Sequence, residues 1–300
     1  MITRHDRVAV DLPMPSGPNA NGAAAVQELL GGKFGEMSTL MNYTFQSMNF
    51  RGRDAAHARP FYDLIANIAA EEYGHIELVT YTINLLLTGT STRGTDPAAE
   101  PLAGVENNRN THHFIASGQT ALPMDSMGRP WTGDNVFSSG NLKLDLLHNF
   151  FLECGARANK IRVYETTDDP TVRAMTGYLL VRGGVHVVAY ARALEVLTGA
   201  DLSKLFPIPD ISNKAFPEAK VLEDQGLHLI LYRNNPKDYA RVGEVFKGPH
   251  PEDGQPLVVE DGLPDGVAPP LLEEEPQLTA PGIGAIDDEM LREIMKRLER

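Results

Sequence analysis

Residues 62–79 read YDLIANIAAEEYGHIELV. Ile65, Ile68, Ala69, Glu72, Ile76, Val79 and, further on, Ile83 recur at intervals that suit one face of a helix. Pro60 fits a first-turn position and Gly89 a stop, which bounds a long helix between them. Within it, Glu72 and His75 stand three residues apart and project from the same face. Ile68, Ala69, Ile76 and Val79 mark the apolar side, so at least part of the pair points inward. A carboxylate and an imidazole inside a core need a compensating partner. A lone Glu-x-x-His arises by chance in many helices as a surface Glu and an ordinary His; the apolar neighbours argue against that here.

Working outward, three more long helices offer such partners. Residues 23–49 form the first, with a soft spot at Gly31, Gly32 and Gly35. Those glycines cost helix stability. They either let a neighbour or a metal centre approach closely or divide the segment into two helices. Residues 141–166 form a third long helix. A fourth opens on Asp169-Pro170, N-cap plus first helical residue, and stops at Gly199. Its short link to the third makes the two antiparallel neighbours. Residues 90–140 are rich in Gly, Pro, Asn, Ser and Thr, with one short helix over 108–117. A connection that long needs a role, and a crossover between helix pairs supplies one. The expected fold is therefore all-α: a four-helix bundle with one long crossover, its helices about 38 Å long at about 25 residues each.

Each helix places a candidate donor near its middle: Glu36 in the first, Glu72 and His75 in the second, Glu153 in the third, His186 in the fourth. Any one alone is readable as a satisfied core polar group. Four helices doing so together point to a metal site. Three carboxylates and two imidazoles suit manganese or iron. Zinc fits less well, since its structural sites are four-coordinate and sulfur-rich. Donor type does not separate the two favoured metals.

Bulk properties narrow the field. The chain has 300 residues, 42% hydrophobic, a formal net charge of −13 and a single cysteine, Cys154. The acidity disfavours nucleic acid, whose phosphates need a basic surface. One cysteine excludes an internal disulfide framework and a Cys-rich zinc site. The most apolar long segment, GYLLVRGGVHVVAYARALEVL, is interrupted by Arg182, His186 and Arg192, so no membrane span is expected. No signal peptide is read at the N-terminus, and the expected setting is cytoplasmic.

The chain divides into an extended arm at 1–22, the bundle at 23–200, and a C-terminal extension and tail at 201–300. The extension holds short helical signals near 217–225, and 248–284 reads as an extended tail dense in Pro, Gly and Glu. The last residues, DDEMLREIMKRLER, put Met290, Leu291, Ile294, Met295 and Leu298 on one stripe of a helix that needs a surface to dock on.

The stretches GGKFGEMSTLMNYTFQSMNFRG, YDLIANIAAEEYGHIELV, SGNLKLDLLHNFFLECGARANKIRVYE and GYLLVRGGVHVVAYARALEVLTG resemble the metal-binding helices of the manganese catalase family, which is ferritin-like. The resemblance covers nearly all of residues 1–250. It implies two manganese ions per subunit, disproportionation of hydrogen peroxide, and a compact homohexamer in which arm and tail reach across neighbours. It implies that Glu72 bridges the metals, that Glu36 and His75 ligate one and that Glu153 and His186 ligate the other. Tyr43, seven residues past Glu36, is similar to the family's tyrosine beside the core. Some members carry a Glu three residues before the last His; here that position is Gly183, which leaves the proton-handling group open. Lys160, seven residues after Glu153 on the same face, is a candidate, as is an ordinary snorkelling lysine there. Glu36 is a further proton acceptor.

Other residues are set aside. His112 and His113 are adjacent and point apart on a helix. His148 reads as packing or a subunit contact, and Cys154 as a small buried residue. The competing reading is an iron protein on the same fold, a store or a diiron oxidase. The store would be shorter, and the oxidase would carry a carboxylate at Gly183. A coat protein that lost catalysis would have lost some of the five donors.

Overall fold

The computed structural model describes residues 7–88, 111–202, 211–269 and 288–299. The first long helix is two, α1 (Ala20–Gly31) and α2 (Glu36–Met48). It starts three residues inside the stretch read as arm, because the Asn19 side chain caps it by accepting from Gly22 N at 2.8 Å. The break has a steric cause. A Cβ at Gly31 would lie 2.4 Å from the Met124 carbonyl of the crossover, and one at Gly35 would lie 2.7 Å from the Leu30 carbonyl. Glu36 thereby becomes the first residue of α2, where the helix end favours a negative charge.

α3 (Arg59–Leu87) has Pro60 in its first turn and buries Leu64, Ile65, Ile68, Leu78, Val79 and Ile83. Gly89, read as its stop, lies outside the described residues, as do 90–110 of the crossover. Within the rest of the crossover, α4 (His112–Ile115) occupies part of the expected short helix. From there to Asn141 the chain runs along α1 and α2, held by buried polar side chains. Gln27 donates to the carbonyls of Leu122 and Met124, Asn42 to that of Asn135, and Gln46 to that of Phe137. His113 pairs with Gln27 Oε1 at 2.9 Å. Each such bond is worth about 1 kcal/mol net, and more is lost when one partner is left buried and unpaired.

α5 (Leu142–Glu165) is capped by Asn141, and α6 (Pro170–Thr198) by Asp169, whose carboxylate accepts from Thr171 N and Val172 N. Gly199 ends α6 at φ 71°, a left-handed turn that suits glycine. α6 is buried on nearly every side between Thr171 and Leu194, so its sequence shows little amphipathic period. α1 and α2 pack on α3, α5 packs on α6, and the two pairs meet through α3 with α6 and α2 with α5. This is the expected four-helix bundle.

The extension is more ordered than its sequence indicated. α7 (Pro217–Asp224) packs on α6. β1 (Ile230–Arg233) and β2 (Val258–Asp261) form a two-stranded parallel sheet in the register Ile230 to Val258. Asn67 of α3 ties the sheet to the bundle: its amide donates to Tyr232 O, and its carbonyl oxygen accepts from Asn234 N. Val267 pairs with Val8 of the arm, which is buried. Residues 211–269 thus lie on their own chain's bundle, whereas 270–287 lie outside the described residues. α8 (Asp288–Leu298) leaves Met295 and Leu298 exposed. Among the described residues, no helix is long and apolar enough to cross a membrane.

Candidate metal centre

Glu36 from α2, Glu72 and His75 from α3, Glu153 from α5 and His186 from α6 meet in the middle of the bundle, and all five are buried. Their donors form two groups that share Glu72. Glu36, Glu72 and His75 have donor atoms within 4.8 Å of one another, and so do Glu72, Glu153 and His186. His75 Nδ1 lies 3.0 Å from Glu72 Oε2 and 3.4 Å from Glu36 Oε2. His186 Nδ1 lies 2.8 Å from Glu72 Oε1 and 3.4 Å from Glu153 Oε1. The two imidazoles are stacked with centroids 5.6 Å apart.

Tyr43 and Lys160 join the same centre. Tyr43 donates its hydroxyl to Glu153 Oε1 at 2.6 Å. Burial, followed by the charge of Glu153, holds its phenol well above the usual tyrosine range, so it remains a donor. Lys160 Nζ reaches Glu36 Oε1 at 2.8 Å as an ion pair off the line of a hydrogen bond. A Cβ at Gly183 would lie 3.6 Å from that ammonium. Burial works against the lysine charge, but Glu36, Glu153 and Glu72 outweigh it and raise its pKa. In return, although burial would raise the Glu36 carboxyl, Lys160 and His75 hold it well below the usual range.

Three contributors escaped the sequence reading. Glu71 turns inward beside Glu72, with Oε1 3.7 Å from His75 Nε2 and Oε2 3.4 Å from His186 Nε2. Arg182 grips it with two nitrogens, Nε to Oε1 at 2.6 Å and Nη2 to Oε2 at 3.1 Å. The guanidinium also donates to the carbonyls of Leu227 and Ile230 and lies over the Tyr232 ring. Thr39 donates to Glu72 Oε2 at 3.0 Å. Spacing carried a signal for two of the three: Glu71 precedes His75 by four residues, as Arg182 precedes His186. Those intervals place each pair on one helix face.

The donor set fits a pair of cations. Both oxygens of Glu36, Glu153 Oε2, both ring nitrogens of His186 and His75 Nε2 have no hydrogen-bond partner among the described residues. Ion-pair contacts reach several of these atoms, but leaving so many buried polar atoms without a hydrogen bond is costly. Burial would depress both histidines, yet the carboxylates around them raise their pKa well above the ordinary value. The field that favours imidazolium there equally favours dications. A cleft of about 660 Å³ reaches the Glu71 side of the centre between Tyr73, Gly74, Tyr178 and Asn234.

The residues set aside stay outside the centre. His113 is engaged with Gln27, and His148 stacks on Phe137 with centroids 4.7 Å apart. Burial pushes the Cys154 thiol up to about 11, so it is a poor nucleophile.

Comparison with known proteins shows the family and the fold. The family described as Manganese containing catalase matches residues 1–293. A manganese catalase from Bacillus subtilis is 35% identical over 209 residues, covering 68% of this chain and 75% of that one. One from Lactiplantibacillus plantarum is 32% identical over 176 residues, 58% of this chain and 64% of that one. The crystal structure of a manganese catalase from Anabaena superposes with a TM-score of 0.53 at 22% identity, covering 78% of this chain and 92% of that one.

Proposed function

The chain belongs to the manganese-containing catalase family, and from that premise we propose that Glu36, Glu72, His75, Glu153 and His186 hold two manganese ions. The enzyme is a manganese catalase: it converts two molecules of hydrogen peroxide into two of water and one of dioxygen. The observation that carries the two-ion reading is the division of the donors into two groups around the two oxygens of Glu72. Bound manganese supplies the two-electron redox capacity that lets one peroxide be reduced and the next oxidised without free radicals.

The chain's own groups supply position and proton handling. Glu71, gripped by Arg182, faces the Nε2 side of both imidazoles, whose Nδ1 atoms are turned to Glu72. Tyr43 holds the Glu153 carboxylate by one oxygen. Glu36 is the proton acceptor of this reading when it loosens from its metal, and the Lys160 ammonium beside it keeps the carboxylate ionised between turnovers. Burial keeps bulk water from these groups and strengthens every charge interaction among them.

The iron-protein alternative is not favoured. A diiron oxidase would carry a carboxylate at Gly183, and the Lys160 ammonium stands close to that place. The same reading takes the enzyme as a cytoplasmic homohexamer, with 1–22, 23–200 and 201–300 as arm, bundle and extension. Phe45, Met48, Leu144 and Phe151 are exposed on α2 and α5 in the single chain, which supports assembly.

Dioxygen release from peroxide, with metal analysis of the same sample, tests the proposal. About two Mn per chain with oxygen release lost in Glu72→Ala supports it. Iron in place of manganese with no oxygen release refutes it.

A further inference from the structure

A second group of metal-type donors lies away from the bundle centre, where two segments of the extension meet. His228 sits in the 3₁₀ turn Leu227–Leu229. His250 and Asp253 sit in a tight loop closed by the bonds His250 N to Gln255 O at 2.7 Å and Gly254 N to His250 O at 3.0 Å. His228 Nε2 lies 2.9 Å from Asp253 Oδ2, and His250 Nδ1 lies 3.5 Å from Asp253 Oδ1. The two rings meet edge to face with centroids 5.1 Å apart. Donor atoms of all three residues lie within 4.8 Å of one another.

We propose that His228, His250 and Asp253 form a separate site for one zinc-class divalent cation. Two imidazoles and one carboxylate suit zinc or cobalt and are poor ligands for calcium or magnesium. Zinc bonds of about 2.1 Å put neighbouring tetrahedral donors about 3.4 Å apart, close to the 2.9 and 3.5 Å contacts found here. A simple hydrogen-bonded strut would need only one imidazole. The second brings its Nδ1 to the same carboxylate while accepting a long 3.4 Å bond from Glu252 N. At 3.5 Å from Asp253 Oδ1 that nitrogen makes no short hydrogen bond to the carboxylate, and the gap is one that a cation ligated by both would close. Burial keeps His250 below its ordinary pKa, and neutral imidazole is the ligating form. Asp253 is 33% exposed, so a metal and its remaining water ligands can enter from solvent.

The site has a structural consequence. Leu227 O and Ile230 O, which flank His228, accept from the Arg182 guanidinium. A cation holding His228 to the 250–253 loop fixes the turn that receives Arg182. The inference stands on this cluster alone and does not depend on which metal fills the bundle.

Manganese-loaded full-length protein is titrated with Co²⁺ and then Zn²⁺, followed by metal analysis and visible absorption. The expected result is one added equivalent per chain and a cobalt d–d band. His250→Gln and Asp253→Asn should each weaken that binding at least tenfold while manganese content stays constant. Asp253→Asn is isosteric and partly exposed, so it reports even if His250→Gln folds poorly. No added equivalent, or one that persists unchanged in Asp253→Asn, overturns the proposal. A strut without metal would lower stability in both variants and give no cobalt band.

Discussion

Glu72 turns one carboxylate oxygen to each histidine, Oε2 to His75 Nδ1 at 3.0 Å and Oε1 to His186 Nδ1 at 2.8 Å. No other carboxylate belongs to both donor groups, so the groups should respond unequally to loss of their members. Glu153→Ala removes a donor from one group and should lower manganese toward one per chain. Glu72→Ala removes a donor from both and should lower it toward none. Metal analysis after dialysis reads the difference, and equal loss in the two variants would count against a shared bridge.

Lys160 is placed to act on the proton chemistry of Glu36 through their 2.8 Å contact. Lys160→Met should leave the manganese content near that of the parent and reduce kcat by on the order of 100-fold, the scale of one acid–base group. Lys160→Arg should restore part of the rate. A variant that loses stability but keeps kcat would reduce the lysine to packing.

Arg182 and Glu71 form a buried ion pair with two contacts between the side chains. Removing one partner leaves a buried charge uncompensated, which costs about 3–5 kcal/mol. Arg182→Met should show that loss in denaturant unfolding. The double change with Glu71→Gln should recover part of it, because no charge is then stranded. Equal stability of the single and double variants would contradict the coupling.

His113 gives a pH dependence. Burial, helped by the nearby His112, lowers its pKa to about 4, against about 6.5 in an unfolded chain. The unfolded state therefore binds the proton first as pH falls. The stabilising contribution of neutral His113 is present above pH 6.5 and is lost as the pH drops toward 4. Unfolding measured between pH 7 and 4.5 should show a shallower decline in His113→Gln than in the parent, by at most about 1.4 kcal/mol per pH unit. Parallel curves would refute the assignment.

Much of this was readable in the chain. The bundle was legible because Pro60, Asp169-Pro170 and Gly199 punctuate long helical stretches, and because four helices carry polar donors at mid-height. The break between α1 and α2 is not decided by the sequence, since the glycines alone do not reveal that Met124 of the crossover presses on Gly31. The parallel sheet was invisible because each strand has four residues and its partner lies far along the chain. Glu71 was hidden by its neighbour: two adjacent glutamates read as one motif. Arg182 reads in the sequence as a charge that interrupts an apolar run, although a lone arginine in a buried helix requires a buried anion.

Anomalous diffraction at the manganese edge from crystals of the metal-loaded protein tests the central claim most directly. The account predicts two peaks per chain. One should lie among Glu36, Glu72 and His75, the other among Glu72, Glu153 and His186. A single peak, or peaks away from Glu72, would contradict it.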